Sequence, residues 1–147
     1  MPGMAEHYYS KKPQTDSKPK SWSFTLRDEL FQFETDTGVF SKSEVDFGSR
    51  VLIDAFIMPV TEGPVLDVGC GYGPIGLSIA KTETNRTIHM VDINERAVEL
   101  SRKNAEGNGV QNVRIYESDG LAEVTESDFD AILTNPPIRA GKETIFR

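Results

Sequence analysis

Two short stretches of this chain carry residue types that can do chemistry, and each closes an apolar run. Asp67-Val-Gly69-Cys-Gly71-Tyr-Gly73 follows Pro64-Val65-Leu66, and Asn135-Pro136-Pro137 follows Ala131-Ile132-Leu133. Glycines at 69, 71 and 73 let the backbone turn tightly and approach a ligand with no β-carbon in the way. Asp92 stands 21 residues beyond Gly71 (92 − 71), after the apolar run His89-Met90-Val91. An acid at that offset suits the two hydroxyls of a ribose, so the first stretch predicts a site for a nucleoside cofactor. In the second stretch, each residue before a proline is pushed out of the helical region, which extends Asn135 and Pro136, and the prolines supply no competing N–H. The Asn135 side-chain oxygen and the Pro136 carbonyl can then accept both N–H bonds of an exocyclic amine, turning its nitrogen lone pair outward. Both oxygens are negative dipole ends placed where positive charge develops as nitrogen attacks.

The glycine turn has a second reading. Gly71-Tyr-Gly73-Pro-Ile-Gly76 also matches the G-x-G-x-x-G fingerprint of nicotinamide-dependent oxidoreductases, in which glycines cup a pyrophosphate at a helix N-terminus. Asp67 counts against it, because a carboxylate there repels phosphate and favours a cation. S-adenosylmethionine carries a sulfonium and an ammonium and has no phosphate, so the two stretches together predict methyl transfer to nitrogen. No strong base is required, since the methylated ammonium is acidic enough to lose its proton to water.

Each residue also has a plainer reading. Asn-Pro-Pro alone more often marks a turn, and its place after an apolar strand with the glycine turn upstream is what favours the functional one. Asp67 and Asp92 could cap loops, and Asp119-Gly120 is a common turn pair. Cys70 reads as a small packing residue, because no base is spaced to activate it. As the chain's one cysteine it leaves no disulfide framework and no cysteine zinc site, and neither His7 nor His89 has a partner at metal-ligand spacing.

The elements needed to position these residues are visible as periodicities. Trp22-Ser-Phe24-Thr-Leu26 and Phe31-Gln-Phe33-Glu alternate apolar and polar about Arg27-Asp28-Glu29, which predicts a hairpin. Asp36-Thr37-Gly38 turns into Val39-Phe40-Ser41, and Val51, Leu52, Ala55 and Phe56 recur at helical spacing. From Pro64 onward strands near 64–68, 87–92, 112–117 and 130–134 alternate with helices, one opening at Pro74 and one capped by Asn94 and ending near Gly107-Asn108-Gly109. Strict alternation predicts a parallel sheet with crossover helices. Ligands of such sheets bind beyond the carboxyl ends of the strands, where strand order reverses.

With 147 residues, 37% apolar and 27% charged, the chain can form one domain with a real core. No apolar run approaches the ~20 residues of a membrane span, and the N-terminus lacks the apolar stretch of a secretory signal, so the expected location is the cytoplasm. A net charge of −7 disfavours a general nucleic-acid binder. Residues 1–20 nevertheless hold Lys11, Lys12, Lys18 and Lys20 against Glu6 and Asp16, interleaved with Tyr8 and Tyr9. That segment reads either as a flexible, solvated basic tail or as an RNA-contacting arm.

Taken together, these motifs resemble the class I S-adenosylmethionine-dependent methyltransferases over Gly38 to Lys142. Val65 to Gly73 resembles their first cofactor motif, and Val91-Asp92-Ile93-Asn94 their ribose-binding strand end. Ser118-Asp119-Gly120 occupies the place where the family contacts the adenine amino group, and Leu133-Thr134-Asn135-Pro136-Pro137 resembles the amino-methyltransferase signature. Within the class, Gly38-Val-Phe40-Ser41 with Asn135 to Lys142 is most similar to the small-subunit ribosomal RNA guanine-N2 methyltransferases. The resemblance implies a Rossmann-like α/β sheet with an N-terminal hairpin extension, S-adenosylmethionine as cofactor and ribosomal RNA as substrate. It implies Asn135 and Pro136 as catalytic residues, and Asp67, Gly69, Gly71, Gly73, Asp92, Ile93, Asp119, Gly120 and Asn135 as cofactor ligands. Phe40, Pro137, Ile138 and Arg139 would touch the substrate, and no metal is implied. Relatives acting on protein glutamine or DNA adenine share the chemistry.

The chain departs from the pattern twice. Ile138 stands where amino methyltransferases usually have an aromatic that stacks on the target base, a contact worth ~1–3 kcal/mol. Either Phe40 or a further segment supplies that ring, or the target is not a purine. The family sheet has seven strands and this sequence reaches Arg147 shortly after its fourth. The expected organisation is therefore a tail over 1–20, a hairpin and cofactor-closing turn over 21–44, and the N-terminal part of the methyltransferase domain over 45–147. A noncatalytic fragment is the corresponding alternative.

Overall fold

Alternation at a period of two builds the first element. β1 (Pro19–Leu26) and β2 (Glu29–Asp36) pair antiparallel with Leu26 opposite Glu29. Arg27 and Asp28 bridge them at φ 50° and 65°, the left-handed backbone that a two-residue hairpin loop demands. Phe31 and Phe33 point inward, fully buried and stacked 5.4 Å apart, with Trp22 and Phe24 beside them. The structure, a computed structural model, describes residues 19–36, Ile53 and 57–134. The basic tail before Pro19, the turn with Phe40 and Ser41, the helical positions Val51, Leu52, Ala55 and Phe56, and the chain from Asn135 onward lie outside the described residues.

The alternating region folds as expected. β3 (Val65–Val68), β4 (Ile88–Asp92), β5 (Val113–Glu117) and β6 (Ala131–Thr134) form a parallel sheet in the order β5-β4-β3-β6. The chain steps outward from β3 through β4 to β5 and then returns to the other side of β3, so strand order reverses between β3 and β6. α1 (Pro74–Thr82) and α2 (Glu95–Gly107) make the crossovers. Pro74 occupies the first turn of α1, and the Asn94 side chain caps α2 by accepting from Arg96 N at 2.8 Å. Val65, Ile88, Met90, Ile115 and Leu133 share the sheet face covered by Leu77, Ile79, Val98, Leu100 and Ala105. β3 starts at Val65 and not at Pro64, which has no N–H to give to the ladder. β6 is an edge of the sheet among the described residues, and its Ile132 is 56% exposed.

Gly76 brings α1 close to the sheet: a β-carbon there would lie 2.6 Å from Met90 Cγ. Gly76→Ala is expected to lower stability by about 1–3 kcal/mol through overpacking, measured as a lower urea midpoint with an unchanged m-value.

The opposite end of the sheet is held by a cluster that the sequence does not announce. Arg86, 2% exposed, donates to Gly63 O at 2.6 Å, to Pro59 O at 2.9 Å, to Thr61 O and to Asp130 Oδ2 at 3.0 Å. Asp130 also accepts from Thr61 Oγ1 at 2.7 Å and Gly63 N at 2.8 Å, and with Arg86 these bonds hold its carboxyl below the ordinary range. Segment 57–64 is thereby pinned beneath the strands, away from the glycine turn.

Candidate functional site

The turn after β3 sits between two neighbours. Val68 is in register with Val91 of β4 on one side and with Thr134 of β6 on the other. Gly69 N and Cys70 N both donate to Val91 O, at 2.8 and 2.9 Å, which forces the chain up and over the end of β4. Gly69 and Gly73 take φ of 75° and 116°, positions that L side chains rarely adopt. A β-carbon on Gly69 would meet no atom within 4 Å, so the space above that residue is open. A β-carbon on Gly73 would lie 2.8 Å from Leu77 Cδ1, so the second position is closed by packing as well as by backbone.

Asp92 ties the strand ends together. Its Oδ2 accepts from Gly71 N at 2.9 Å, its Oδ1 from Asn94 N at 2.9 Å, and its carbonyl from Ser118 N at 3.0 Å. The loop-fixing role is therefore present. Each carboxylate oxygen still has a lone pair available, so the same group can accept from a diol. Ile93 beside it is 47% exposed, an apolar surface at the mouth. After β5, Ser118 Oγ donates to Gly120 O at 2.7 Å and fixes a turn in which Gly120 has φ 60° and Asp119 is exposed.

Asp67 is 1% exposed. Its Oδ2 accepts from Gly76 N at 3.0 Å, while its Oδ1 is buried with no hydrogen-bond partner among the described residues. Burial pushes the carboxyl up to about 7; the Gly76 N–H opposes that shift and the charge of Asp92 adds to it.

The two cofactor readings separate on these contacts. A pyrophosphate needs free N–H groups at the start of α1, yet Pro74 has none and the Gly76 N–H is occupied by a carboxylate. The donor set does not fit a dinucleotide. An orphaned buried carboxylate oxygen, an acid spanning two turns and open space over Gly69 fit a cationic nucleoside.

Of the residues singled out by sequence, Asp67, Gly69, Gly71, Gly73, Asp92, Ile93, Asp119 and Gly120 come to one end of the sheet on three adjacent turns. Asn135, Pro136, Pro137, Ile138, Arg139 and Phe40 lie outside the described residues; position 135 follows Thr134, the partner of Val68. Cys70 is buried in the core and burial raises its thiol well above the ordinary range, as a packing residue requires. His89 bonds Tyr116 Oη at 3.1 Å, and burial lowers its pKa.

Two residues escaped sequence reasoning. Ser101 Oγ donates to Gly71 O at 2.8 Å, and Asn104 Nδ2 donates to Tyr72 O at 2.8 Å, so α2 grips successive carbonyls of the glycine turn. Their signal was polarity on an otherwise apolar stripe: Ser101 and Asn104, 0% and 2% exposed, interrupt Ala97, Val98, Leu100 and Ala105.

No helix among the described residues is long and apolar enough to cross a membrane. Comparison with known proteins places the chain. The methyltransferase small domain profile matches residues 30–147. The uncharacterized Bacillus subtilis protein YbxB is 62% identical over 97% of this chain and 71% of its own length. The ribosomal RNA small subunit methyltransferase C of Hahella chejuensis is 40% identical over 90% of this chain and 40% of its own length. Among solved structures, the T. thermophilus 16S rRNA N2 G1207 methyltransferase RsmC, in complex with AdoMet and guanosine, superposes with a TM-score of 0.71 at 27% identity over 86% of this chain and 35% of that one. The chain thus spans about two fifths of the curated ribosomal RNA methyltransferase it matches. By profile and by relatives, the chain belongs to the methyltransferase small domain family of S-adenosylmethionine-dependent enzymes.

Proposed function

We propose that the protein methylates the exocyclic amine of a guanine in small-subunit ribosomal RNA. The observation that carries this reading is the register of β3 with β6, in which Val68 pairs with Thr134. It sets the end of the strand that precedes Asn135 directly beside the end of the strand that precedes the glycine turn, which supports an amine acceptor close to the cofactor turn. The relatives named as ribosomal RNA methyltransferases support the substrate class, and an enzyme of that class works in the cytoplasm.

The roles follow from the contacts. Asp92 accepts the ribose hydroxyls, Ile93 packs on the nucleoside, and Asp119 with Gly120 receives the adenine edge. Gly69 leaves room for the amino-acid portion, whose positive charge favours the ionised form of Asp67. S-adenosylmethionine supplies an electrophilic methyl group. Asn135 and Pro136 accept the two amine N–H bonds and aim the nitrogen lone pair, which is catalysis by alignment and by preorganised dipoles. Pro137, Ile138, Arg139 and Phe40 form the contacts to the base and its backbone.

Asp92→Ala is expected to weaken S-adenosylmethionine binding by roughly tenfold to a hundredfold, through loss of charge-assisted bonds, while kcat at saturation stays within about threefold. Titration calorimetry and steady-state kinetics check this. The substrate is tested with labelled S-adenosylmethionine against naked ribosomal RNA, assembled small subunits, DNA and a release-factor-like protein. Label on guanine N2 is the expected result, whereas label confined to DNA or protein reassigns the substrate. Saturable NAD binding without S-adenosylmethionine binding would overturn the cofactor.

A further inference from the structure

The hairpin meets α2 through an unusual edge. Asn104 Oδ1 accepts from Glu34 N at 2.8 Å and its Nδ2 donates to Glu34 O at 2.9 Å. Four residues on, Asn108 Oδ1 accepts from Gln32 N at 2.9 Å and its Nδ2 donates to Gln32 O at 3.0 Å. Each carboxamide offers one acceptor and one donor group, the pair that a neighbouring strand would offer. The spacing matches too: four helical residues rise ~6 Å and two strand residues ~6.8 Å. Two asparagines on one helix face therefore complete the outer edge of β2.

Asn104 does more than Asn108. Its remaining N–H reaches Tyr72 O in the glycine turn, so one buried amide bridges the hairpin backbone and the cofactor turn. The Tyr72 ring meets Phe33 at 5.7 Å and Trp22 at 5.6 Å, both edge-on, so the hairpin's aromatic face rests on the same turn residue. Lys103 to Glu34, at 2.8 Å, and Arg96 to Asp36 add ion pairs along the rim. A shift of β2 that breaks the Glu34 bonds leaves the Asn104 amide free to rotate away from Tyr72, and a disordered turn removes one anchor of the hairpin.

We propose that Asn104 is a positioning residue that couples docking of the β1–β2 hairpin to occupancy of the glycine turn, an inference that rests on the S-adenosylmethionine reading of that turn. Coupling of this kind is reciprocal: cofactor tightens the hairpin as much as the docked hairpin tightens cofactor. Asn108 makes the same type of hairpin contact, but its remaining N–H returns to Asn104 O within the helix at 2.7 Å, and it is the internal control.

The test is amide hydrogen exchange at Gln32 and Glu34, with and without saturating S-adenosylhomocysteine, alongside calorimetric Kd values for the wild type, Asn104→Ala and Asn108→Ala. In the wild type, ligand is expected to slow exchange at Glu34 by about tenfold, within the range of ordinary coupling energies. In Asn104→Ala that slowing disappears at saturation and Kd rises by about tenfold. Asn108→Ala speeds exchange at Gln32, keeps the ligand-dependent slowing at Glu34 and leaves Kd within about threefold. Survival of the slowing in Asn104→Ala, or an equal rise of Kd in Asn108→Ala, overturns the proposal. If Asn104→Ala does not fold, the wild-type measurement still decides, because bound ligand with no change at Glu34 refutes coupling. Failure of the wild type to bind S-adenosylmethionine or its demethylated product instead sinks the cofactor reading itself.

Discussion

Replacing Asn135 by alanine is expected to lower kcat for methyl transfer by roughly a hundredfold to a thousandfold, the range for losing one preorganised polar group at the reacting centre. The affinity for S-adenosylmethionine should stay within about threefold. The asymmetry follows from what the side chain does. An exocyclic amine has its lone pair delocalised into the base, so a bound but unoriented amine is a poor nucleophile. Accepting its two N–H bonds turns the lone pair out of conjugation and toward the methyl, and it stabilises positive charge that exists only after attack begins. Both effects belong to the transition state and not to the bound cofactor, so they appear in kcat. Single-turnover kinetics with saturating cofactor and RNA isolates the step. Unchanged turnover with alanine at 135 would remove Asn135 from the mechanism, and a parallel loss of cofactor affinity would make it a cofactor ligand only.

The parts of the candidate site that were legible in the sequence are those that demand an unusual backbone. Gly69 and Gly73 are readable because glycine is the residue that takes a positive φ at a strand end, and Asp92 because an acid closing the next strand can reach the turn, as its bond from Gly71 N shows. Local signals of the same kind predicted the Asn94 cap, Pro74 at the start of α1 and the hairpin about Arg27-Asp28. What remained hidden depends on contacts between distant segments. The pairing of β6 with β3 joins residues about 66 positions apart, and no periodicity encodes it. The Arg86 clamp draws acceptors from Pro59, Thr61, Gly63 and Asp130, none of which is remarkable in its own neighbourhood. Asn104 and Ser101 look like imperfections of an apolar stripe until Tyr72 and Gly71 are seen opposite them. Gly76, which completes a dinucleotide fingerprint on paper, lets α1 approach Met90 and gives its N–H to Asp67.

Asp67 carries the second large effect, and its sign depends on pH. Burial pushes its carboxyl from the ordinary 3.8 to about 7, so between those values the folded protein holds a proton that the unfolded chain has released. The contribution of Asp67 to stability is therefore full below about pH 4, falls as pH rises, and levels off above about 7; the whole swing corresponds to about 4 kcal/mol. Asp67→Asn removes the titration. Its amide oxygen can still accept from the Gly76 N–H, but its NH2 takes the place of the orphaned Oδ1 and finds no acceptor, an offset of about 1–3 kcal/mol. The variant without cofactor should therefore be about 2 kcal/mol more stable than wild type at pH 8, and equal or less stable at pH 4, by urea denaturation at each pH. Cofactor binding should move the other way. A cation beside Asp67 favours its ionised form, so wild-type affinity for S-adenosylmethionine rises from pH 5 to pH 7 with release of a proton, while the variant binds more weakly with a flatter profile over that range. A variant that gains stability at pH 8 and keeps wild-type affinity would show that the buried carboxylate serves the turn alone; one that loses stability at pH 8 would show that its second oxygen has a partner in solution.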